Sequence, residues 1–338
     1  MHLPLMDFGG QRFDIEGLAE YVGTATALGL DAVSANDHMV FAAPWLDGPA
    51  ALAAVVACSG DATLVTTVAN PVVRGPAPLA KLLAGLDVMS GGRVVAGLGP
   101  GSSERDYASV GVPFEERWPR FDEAVRATRS LLRGESFSGR FYSVAGPLEP
   151  LPTQPLGPPL WVGSWGSDVG LRRAVRLGDG WLASAYNTTP ERFAQSWARV
   201  AELLEEQGRD PSGFANGLAT MWFHIDDRHA DTVLEERLAP VVNRPPEELR
   251  DRLAFGSAEM MVEKLSAFRD AGVQRVFLWP VTDEVAQLQR FAEEVLPRAP
   301  HLCGVVFEMF GNYFPQVGPE PLLAELRRAR QVLERRAA

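Results

Sequence analysis

Three short polar segments have the residue types to do chemistry, and each follows an apolar run. Asn36-Asp37-His38 closes the run that begins at Asp31. An imidazole there could act as acid or base near neutral pH, or donate to a carbonyl oxygen or ring nitrogen. The plainer reading is a histidine held by its neighbour Asp37. Gly97-Leu-Gly-Pro-Gly-Ser-Ser-Glu104 follows a later run. It fails as a dinucleotide fingerprint, because GxGxxG read from Gly97 or Gly99 finds Ser102 or Glu104 at its last place. Gly99 and Gly101 would instead leave backbone bare for a flat ligand, with Ser102 beside it and Glu104 facing it. Gly163-Ser164-Trp165-Gly166 precedes a helix from about Asp168, a place where backbone N–H groups can meet an anion. An ordinary strand-to-helix loop fits those four residues as well. His224 and Trp279 end two further runs. The two cysteines, Cys58 and Cys303, are far apart and in no ligand spacing, so neither a metal centre nor a disulfide scaffold is expected.

These segments need a scaffold that puts strand ends together. Apolar runs occur near Leu3–Phe8, at Asp31–Asn36, Thr63–Ala69, Arg93–Leu98, Leu160–Gly163, Gly180–Ser184, Leu218–Ile225 and Arg275–Pro280. They are apolar throughout rather than alternating, as in parallel strands covered on both faces. Helical patterns lie between them. Pro78–Met89 carries one apolar stripe, and Trp118–Leu132 stops at Gly134. Thr189-Pro190-Glu191 and Ser257 open two more. Eight such units predict an α/β fold, a TIM (β/α)8 barrel, whose sites sit at the C-terminal ends of the strands. The barrel would occupy residues 1–299, with insertions after strands four and seven. Ser136–Pro159, rich in proline and glycine, is the first of these surplus stretches, and residues 300–338 form a C-terminal extension.

The chain has 338 residues and a net charge of −11, which disfavours a nucleic-acid groove. No apolar run reaches the roughly 18–20 residues of a membrane span, and Met1-His2-Leu3-Pro4 does not open a signal peptide. A cytoplasmic protein acting on a small molecule, without nucleic acid or membrane as partner, is the expectation.

One stretch resembles a known family. It runs Leu86-Asp-Val-Met-Ser-Gly-Gly-Arg93, then Val94–Gly101, then Gly111-Val-Pro-Phe-Glu-Glu-Arg117 and Phe121-Asp-Glu-Ala-Val125. With Asp37-His38, Pro159-Leu-Trp-Val-Gly163, Gly178-Asp-Gly-Trp181, Ala271-Gly-Val273 and Val295-Leu-Pro297, it is similar to the bacterial luciferase-like monooxygenases, flavin- or deazaflavin-dependent barrels. The resemblance covers about residues 14 to 298. It implies a cofactor in the barrel mouth, coenzyme F420 or alternatively FMN. The cofactor's contacts would be Asp37, Ala69, Asn70, Gly99, Gly101 and Ser102. Its phosphate would lie near Gly163, Ser164, Trp165 and Gly166, with Ser184 and Ala185 after the next strand. A non-prolyl cis peptide near Val68-Ala69-Asn70 would prop the ring. His38 and Glu104 would be the catalytic pair. Phe41, Trp45, Tyr186 and Trp279, with Val40, Trp165 and Trp222 as further candidates, would line a pocket for an organic substrate, although all could equally be packing. A separate flavin or F420 reductase and a second copy of the chain are the expected partners. Three functions stay open: F420-dependent hydride transfer, an FMN-dependent monooxygenase using reduced flavin and O2, and a non-catalytic binding or scaffold barrel.

Overall fold

Seven strands run parallel around one axis in a computed structural model that describes residues 1–8 and 13–299. Strands β1 (Ala32–Ala35), β2 (Thr63–Thr66) and β3 (Val94–Leu98) are followed by a small hairpin of β4 (Phe137–Ser138) and β5 (Ser143–Val144) outside the barrel. Then come β6 (Leu160–Gly163), β7 (Gly180–Ser184), β8 (Ala215–Ile225), β9 (Ala254–Gly256) and β10 (Val276–Pro280). The barrel order is β1-β2-β3-β6-β7-β8-β10, with β9 added along the end of β8. The start of the chain closes the ring. His2 N–H donates to Leu278 O at 2.7 Å, and Leu3 N–H donates to Ser34 O at 2.8 Å. The fold is the expected α/β barrel.

The expected strand at Leu3–Phe8 is not continuous. It survives as isolated pairings of His2 with Ser34 and Met6 with Trp45. Pro4 has no N–H to give, and Leu5 N–H turns back to Leu3 O, so the chain bends there and runs antiparallel to Pro44–Leu46. The third expected strand, at Thr63–Ala69, stops at Thr66. The seventh starts three residues early, at Ala215, because Asn216 is fixed from both sides by Gln274: its N–H donates to Gln274 Oε1 at 2.6 Å.

Helices cover the outside, and their ends follow local chemistry. Helix α1 (Ile15–Ala27) is capped by Asp14, which accepts from Gly17 N–H, and stops before Gly29 at φ +81°. Helices α2 (Gly48–Ala54), α3 (Pro76–Ser90), α4 (Glu104–Ser109) and α5 (Arg117–Leu132) follow. Helix α6 (Asp168–Leu177) is capped by Ser167, and α7 (Pro190–Glu206) by Thr189 with proline in its first turn. The helix Ala258–Asp270 starts at Ser257, as its pattern predicts.

Two separate apolar layers result. The larger includes Leu64, Val94, Leu218 and Phe223 between strands and helices and continues through Trp222 and Trp279 at the C-terminal ends of their strands. The smaller takes Ala32, Val65, Trp161, Leu182, Ala215 and Phe277 from six different strands, with Val95 beside them, and therefore fills the barrel interior. Trp161 and Leu182 occupy room left by glycine. A Cβ on Gly97 would come 2.5 Å from Leu182, and one on Gly180 would come 2.6 Å from Trp161.

The stretch 136–159 carries the β4–β5 hairpin. Glu123 of α5 is buried and accepts from the backbone N–H groups of Arg140, Phe141 and Tyr142 at 3.0, 2.7 and 2.8 Å, which clamps the hairpin to the helix. The extension at 300–338 lies outside the described residues. Among the described residues no helix is long and apolar enough to cross a membrane, and no group of His, Cys, Asp and Glu has the arrangement of a metal site.

Candidate active site

His38 sits just past β1 on the rim of the barrel, where the family resemblance places it. Its Nδ1 lies 2.9 Å from Asp106 Oδ2, and its side chain keeps 19% of its surface open while that of Asp106 keeps 5%. The other oxygen, Asp106 Oδ1, accepts from Met39 N–H at 3.0 Å and Val40 N–H at 2.8 Å. One carboxylate thus fixes both the imidazole and the backbone that carries it. With Nδ1 held by an acceptor, Nε2 has no protein partner among the described residues.

Glu104, the sequence candidate for that partnership, is exposed in the first turn of α4. Two residues apart on a helix are rotated by roughly 200°. With Asp106 turned inward to His38, Glu104 faces away. Sequence reading passed over Asp106, although the capping serine, Ser103, marks a helix whose inward face includes position 106.

Asp37 serves the wall of the site. Its two oxygens accept from Arg74 Nε at 2.6 Å and from a terminal nitrogen of the same guanidinium at 2.7 Å. Oδ2 also accepts from Asn70 N–H at 3.2 Å. Burial alone would lower the Arg74 pKa, but Asp37 and Asp47 outweigh it and hold the guanidinium well above its ordinary value. Asn70 is buried and extends this wall. It donates from Nδ2 to Pro100 O at 2.9 Å and accepts at Oδ1 from Val72 and Val73 N–H. The end of β2 is thereby tied to the glycine loop after β3. Ala69 pairs with Leu98 in the same seam.

The non-prolyl cis peptide is Thr67–Val68, slightly before the expected position. Val68 lies against two glycines. A Cβ on Gly99 would stand 2.4 Å from one of its methyls, and a Cβ on Gly163 would stand 3.1 Å from the other. Gly101 has φ +68°, and a Cβ there would come 2.8 Å from Asn70 Nδ2. Ser102, next to it, is exposed.

Past β6, Ser164 Oγ accepts from Gly166 N–H at 3.3 Å and Ser167 Oγ accepts from Gly170 N–H. Trp165 is 56% exposed and joins no ring pair. Past β7, Ser184 Oγ accepts from Asn187 Nδ2 at 3.0 Å, and Ala185 is fully buried.

An aromatic wall runs from His38 into the barrel. His38 lies 4.7 Å from Phe41 and 4.8 Å from Trp45, ring centre to ring centre. Trp45 lies 5.6 Å from Trp279, Trp279 lies 5.3 Å from Trp222, and Trp222 lies 5.1 Å from Tyr186. The buried indole nitrogens of Trp45, Trp222 and Trp279 have no hydrogen-bond partner, nor do Asn36 Oδ1 and Thr67 Oγ1. An unmade bond at a buried polar atom costs about 1–3 kcal/mol, so the indole N–H groups and the Thr67 hydroxyl mark places that an acceptor from outside the chain can satisfy, and Asn36 Oδ1 one that a donor can. His224 is also buried, beside Thr282, and burial lowers its pKa.

Comparisons with known proteins bear on the family and the fold. A family model described as luciferase-like monooxygenase matches residues 4–242. An F420-dependent glucose-6-phosphate dehydrogenase of Beutenbergia cavernae is 29% identical, over 85% of this chain and 94% of its own. An F420-dependent hydroxymycolic acid dehydrogenase of Mycobacterium tuberculosis is 26% identical over 85% of each. An uncharacterized protein of the same species is 38% identical, but over only 40% of this chain, which spans 46% of that relative's length. Among solved structures, an F420-dependent secondary alcohol dehydrogenase with an F420-acetone adduct superposes with a TM-score of 0.75 at 20% identity, over 85% of this chain and 96% of its own. The FMN-bound oxygenating constituent of a Pseudomonas putida Baeyer-Villiger monooxygenase gives 0.68 at 17% identity, over 87% and 96%. The family model spans more than half of the sequence, and the parallel barrel is the architecture of these neighbours: the chain belongs to the luciferase-like monooxygenase family.

Proposed function

We propose that the chain is an oxidoreductase that uses coenzyme F420 to oxidise or reduce a small organic substrate, with His38 as the acid or base. The observation that carries this reading is the His38–Asp106 pair at the head of an aromatic wall with unpartnered donors. F420 is preferred because relatives named for it align along 85% of the chain.

The residues present fit a flat ring. Gly99 and Gly163 let the half-buried Val68 side chain lie directly on their backbone, where a Cβ would collide with it, and Thr67 Oγ1, next to it in the chain, and Asn36 Oδ1 have no partner. Ala69, Asn70, Gly99, Gly101 and Ser102 would hold the ring side. Gly163, Ser164, Trp165, Gly166, Ser184 and Ala185 would face the phosphate. Bound there, the deazaflavin supplies hydride exchange with a substrate carbon. His38 Nε2 gives or takes the proton on the substrate oxygen, a contribution of roughly 10²–10⁴-fold in well-placed cases. Asp106 keeps the ring in one tautomer and one orientation and offsets the positive charge when His38 is protonated. Phe41, Trp45, Tyr186 and Trp279 exclude water and shape the substrate side. A separate F420 or flavin reductase, a homodimer and a cytoplasmic setting belong to the same reading.

The FMN-bound neighbour favours one alternative, an FMN-dependent monooxygenase. Fluorescence titration of the purified protein with each cofactor separates the two. Micromolar or tighter binding of F420 is expected. Tight FMN binding without F420 binding overturns the assignment, and binding of neither by folded protein points to a non-catalytic barrel.

A further inference from the structure

Side chains on a strand alternate between faces, so residues two apart share a face. Strand β8 breaks this rule once. Ala215 belongs to the barrel-interior layer, and a Cβ on Gly217 would meet Leu182, Phe277 and Trp161 of that layer. Ala219, paired with Ser184, is next on the same face. Leu218, between the inward positions of Gly217 and Ala219, faces outward. Beyond this point the parity is reversed. Trp222 stands in the interior against Trp279, at 5.3 Å, while Phe223 faces outward to Phe291 of the helical shell, at 6.2 Å.

The register locates the switch. Leu218 pairs with Val276 and Met221 with Leu278, so β8 spends three residues where β10 spends two. The extra residue is Thr220, at φ +56° in the middle of a buried strand. A β-branched residue in the left-handed region is a true outlier, and a one-residue bulge is the device that re-aims a strand's side chains. Without it, Met221 and Phe223 would face the barrel and Trp222 would be carried into the helical layer.

The geometry points to Thr220 as a positioning residue: its bulge turns Trp222 into the pocket, where an unpartnered indole N–H joins those of Trp279 and Trp45 to select a neutral, ring-sized organic molecule with an acceptor oxygen. Calling that molecule the substrate rests on the proposed oxidoreductase function; the arrangement itself does not.

The test uses the full chain without cofactor. Two indoles this close give an exciton couplet in circular dichroism near 230 nm, at a wavelength set by the indole chromophore rather than by this protein. Thr220→Gly relieves the left-handed conformation and keeps the bulge, so it retains the couplet with a Tm at or above the parent's. Trp45–Trp279 at 5.6 Å and Trp181–Trp197 at 6.4 Å keep their own signal, so the Trp222 couplet is the difference between the parent and Trp222→Phe, and removal of Thr220 abolishes that difference signal as well. Acetophenone, a neutral aromatic ketone, serves as the ligand probe, and its affinity falls roughly fivefold in Trp222→Phe, the scale of one lost hydrogen bond. A folded deletion variant that keeps the couplet overturns the proposal. So does a Thr220→Gly variant that loses it. If the deletion variant does not fold, Thr220→Gly and Trp222→Phe decide between them. Failure of the parent to bind acetophenone overturns the ligand class. Because no cofactor is present, these outcomes are distinct from a failure to bind F420.

Discussion

His38 and Asp106 are 68 residues apart in the sequence and 2.9 Å apart in the structure, and the same carboxylate also accepts the N–H groups of Met39 and Val40. The loop after β1 and the helix after β3 are therefore locked to each other through one side chain. In Asp106→Asn, the amide oxygen can still accept from Met39 and Val40, but an NH2 now meets His38 Nδ1 and favours the opposite tautomer. We expect turnover with F420 to fall roughly 10- to 1,000-fold with cofactor affinity within about threefold of the parent, and His38→Ala to fall by about 10²–10⁴. Stopped-flow rates and a fluorescence titration measure the two quantities. Full-rate turnover by Asp106→Asn would sink the positioning role.

The Asp37–Arg74 pair is buried, with side-chain exposures of 3% and 13%. Removing one partner strands the other charge, and the typical cost of that is about 3–5 kcal/mol. Arg74→Met should show this loss in urea unfolding. Asp37→Asn should lose less, because an amide oxygen can still accept from Asn70 N–H and from part of the guanidinium. Equal stability of Arg74→Met and the parent contradicts the structural role.

Gly99→Ala puts a methyl where Val68 stands. The expected result is at least a tenfold weaker cofactor, about 1.4 kcal/mol, with the barrel still folded. The double variant Gly99→Ala with Val68→Ala should recover part of the loss, since it removes the collision. Calorimetric titration of single and double variants tests the pair, and no recovery would place the cost elsewhere.

His2 is buried between the ends of β1 and β10, stacked on Trp279 at 3.8 Å, with Nδ1 toward Leu3 O and Nε2 accepting from Asn36 N–H. Burial pulls its pKa down to about 3 from 6.5, only partly countered by the bond to Leu3 O. Below pH 6.5 the unfolded chain takes up a proton that the folded chain refuses. Stability from this site is thus present above pH 6.5 and declines as pH falls toward 3, by at most about 1.4 kcal/mol per pH unit. In His2→Asn that component is absent, so the stability gap to the parent should narrow over this range. A constant gap in denaturation curves at pH 6.5 and 4.5 argues against it.

The barrel could be read from the sequence because its strands are apolar on both faces and its helices carry caps at Thr189 and Ser257. His38 was legible because a strand end leads into it. Asp106 was not, since its role depends on which face of a six-residue helix turns inward, and Glu104 was the more conspicuous acid. Asp37 read as a ligand contact because Arg74, its partner, lies 37 residues on in a loop with no pattern of its own. The bulge at Thr220 was hidden for another reason. Met221, Trp222 and Phe223 are all apolar, so the sequence holds no alternation that could reveal a change of parity.

The barrel's inner layer has one more consequence. Trp161, Leu182 and Phe277 plug the floor in the room that Gly97, Gly180 and Gly217 give up. How far up the barrel interior is filled is therefore set by three side chains rather than by the strands that carry them. Smaller side chains at 161, 182 and 277 would lengthen the free interior from below while His38 and the aromatic residues around it stay as they are.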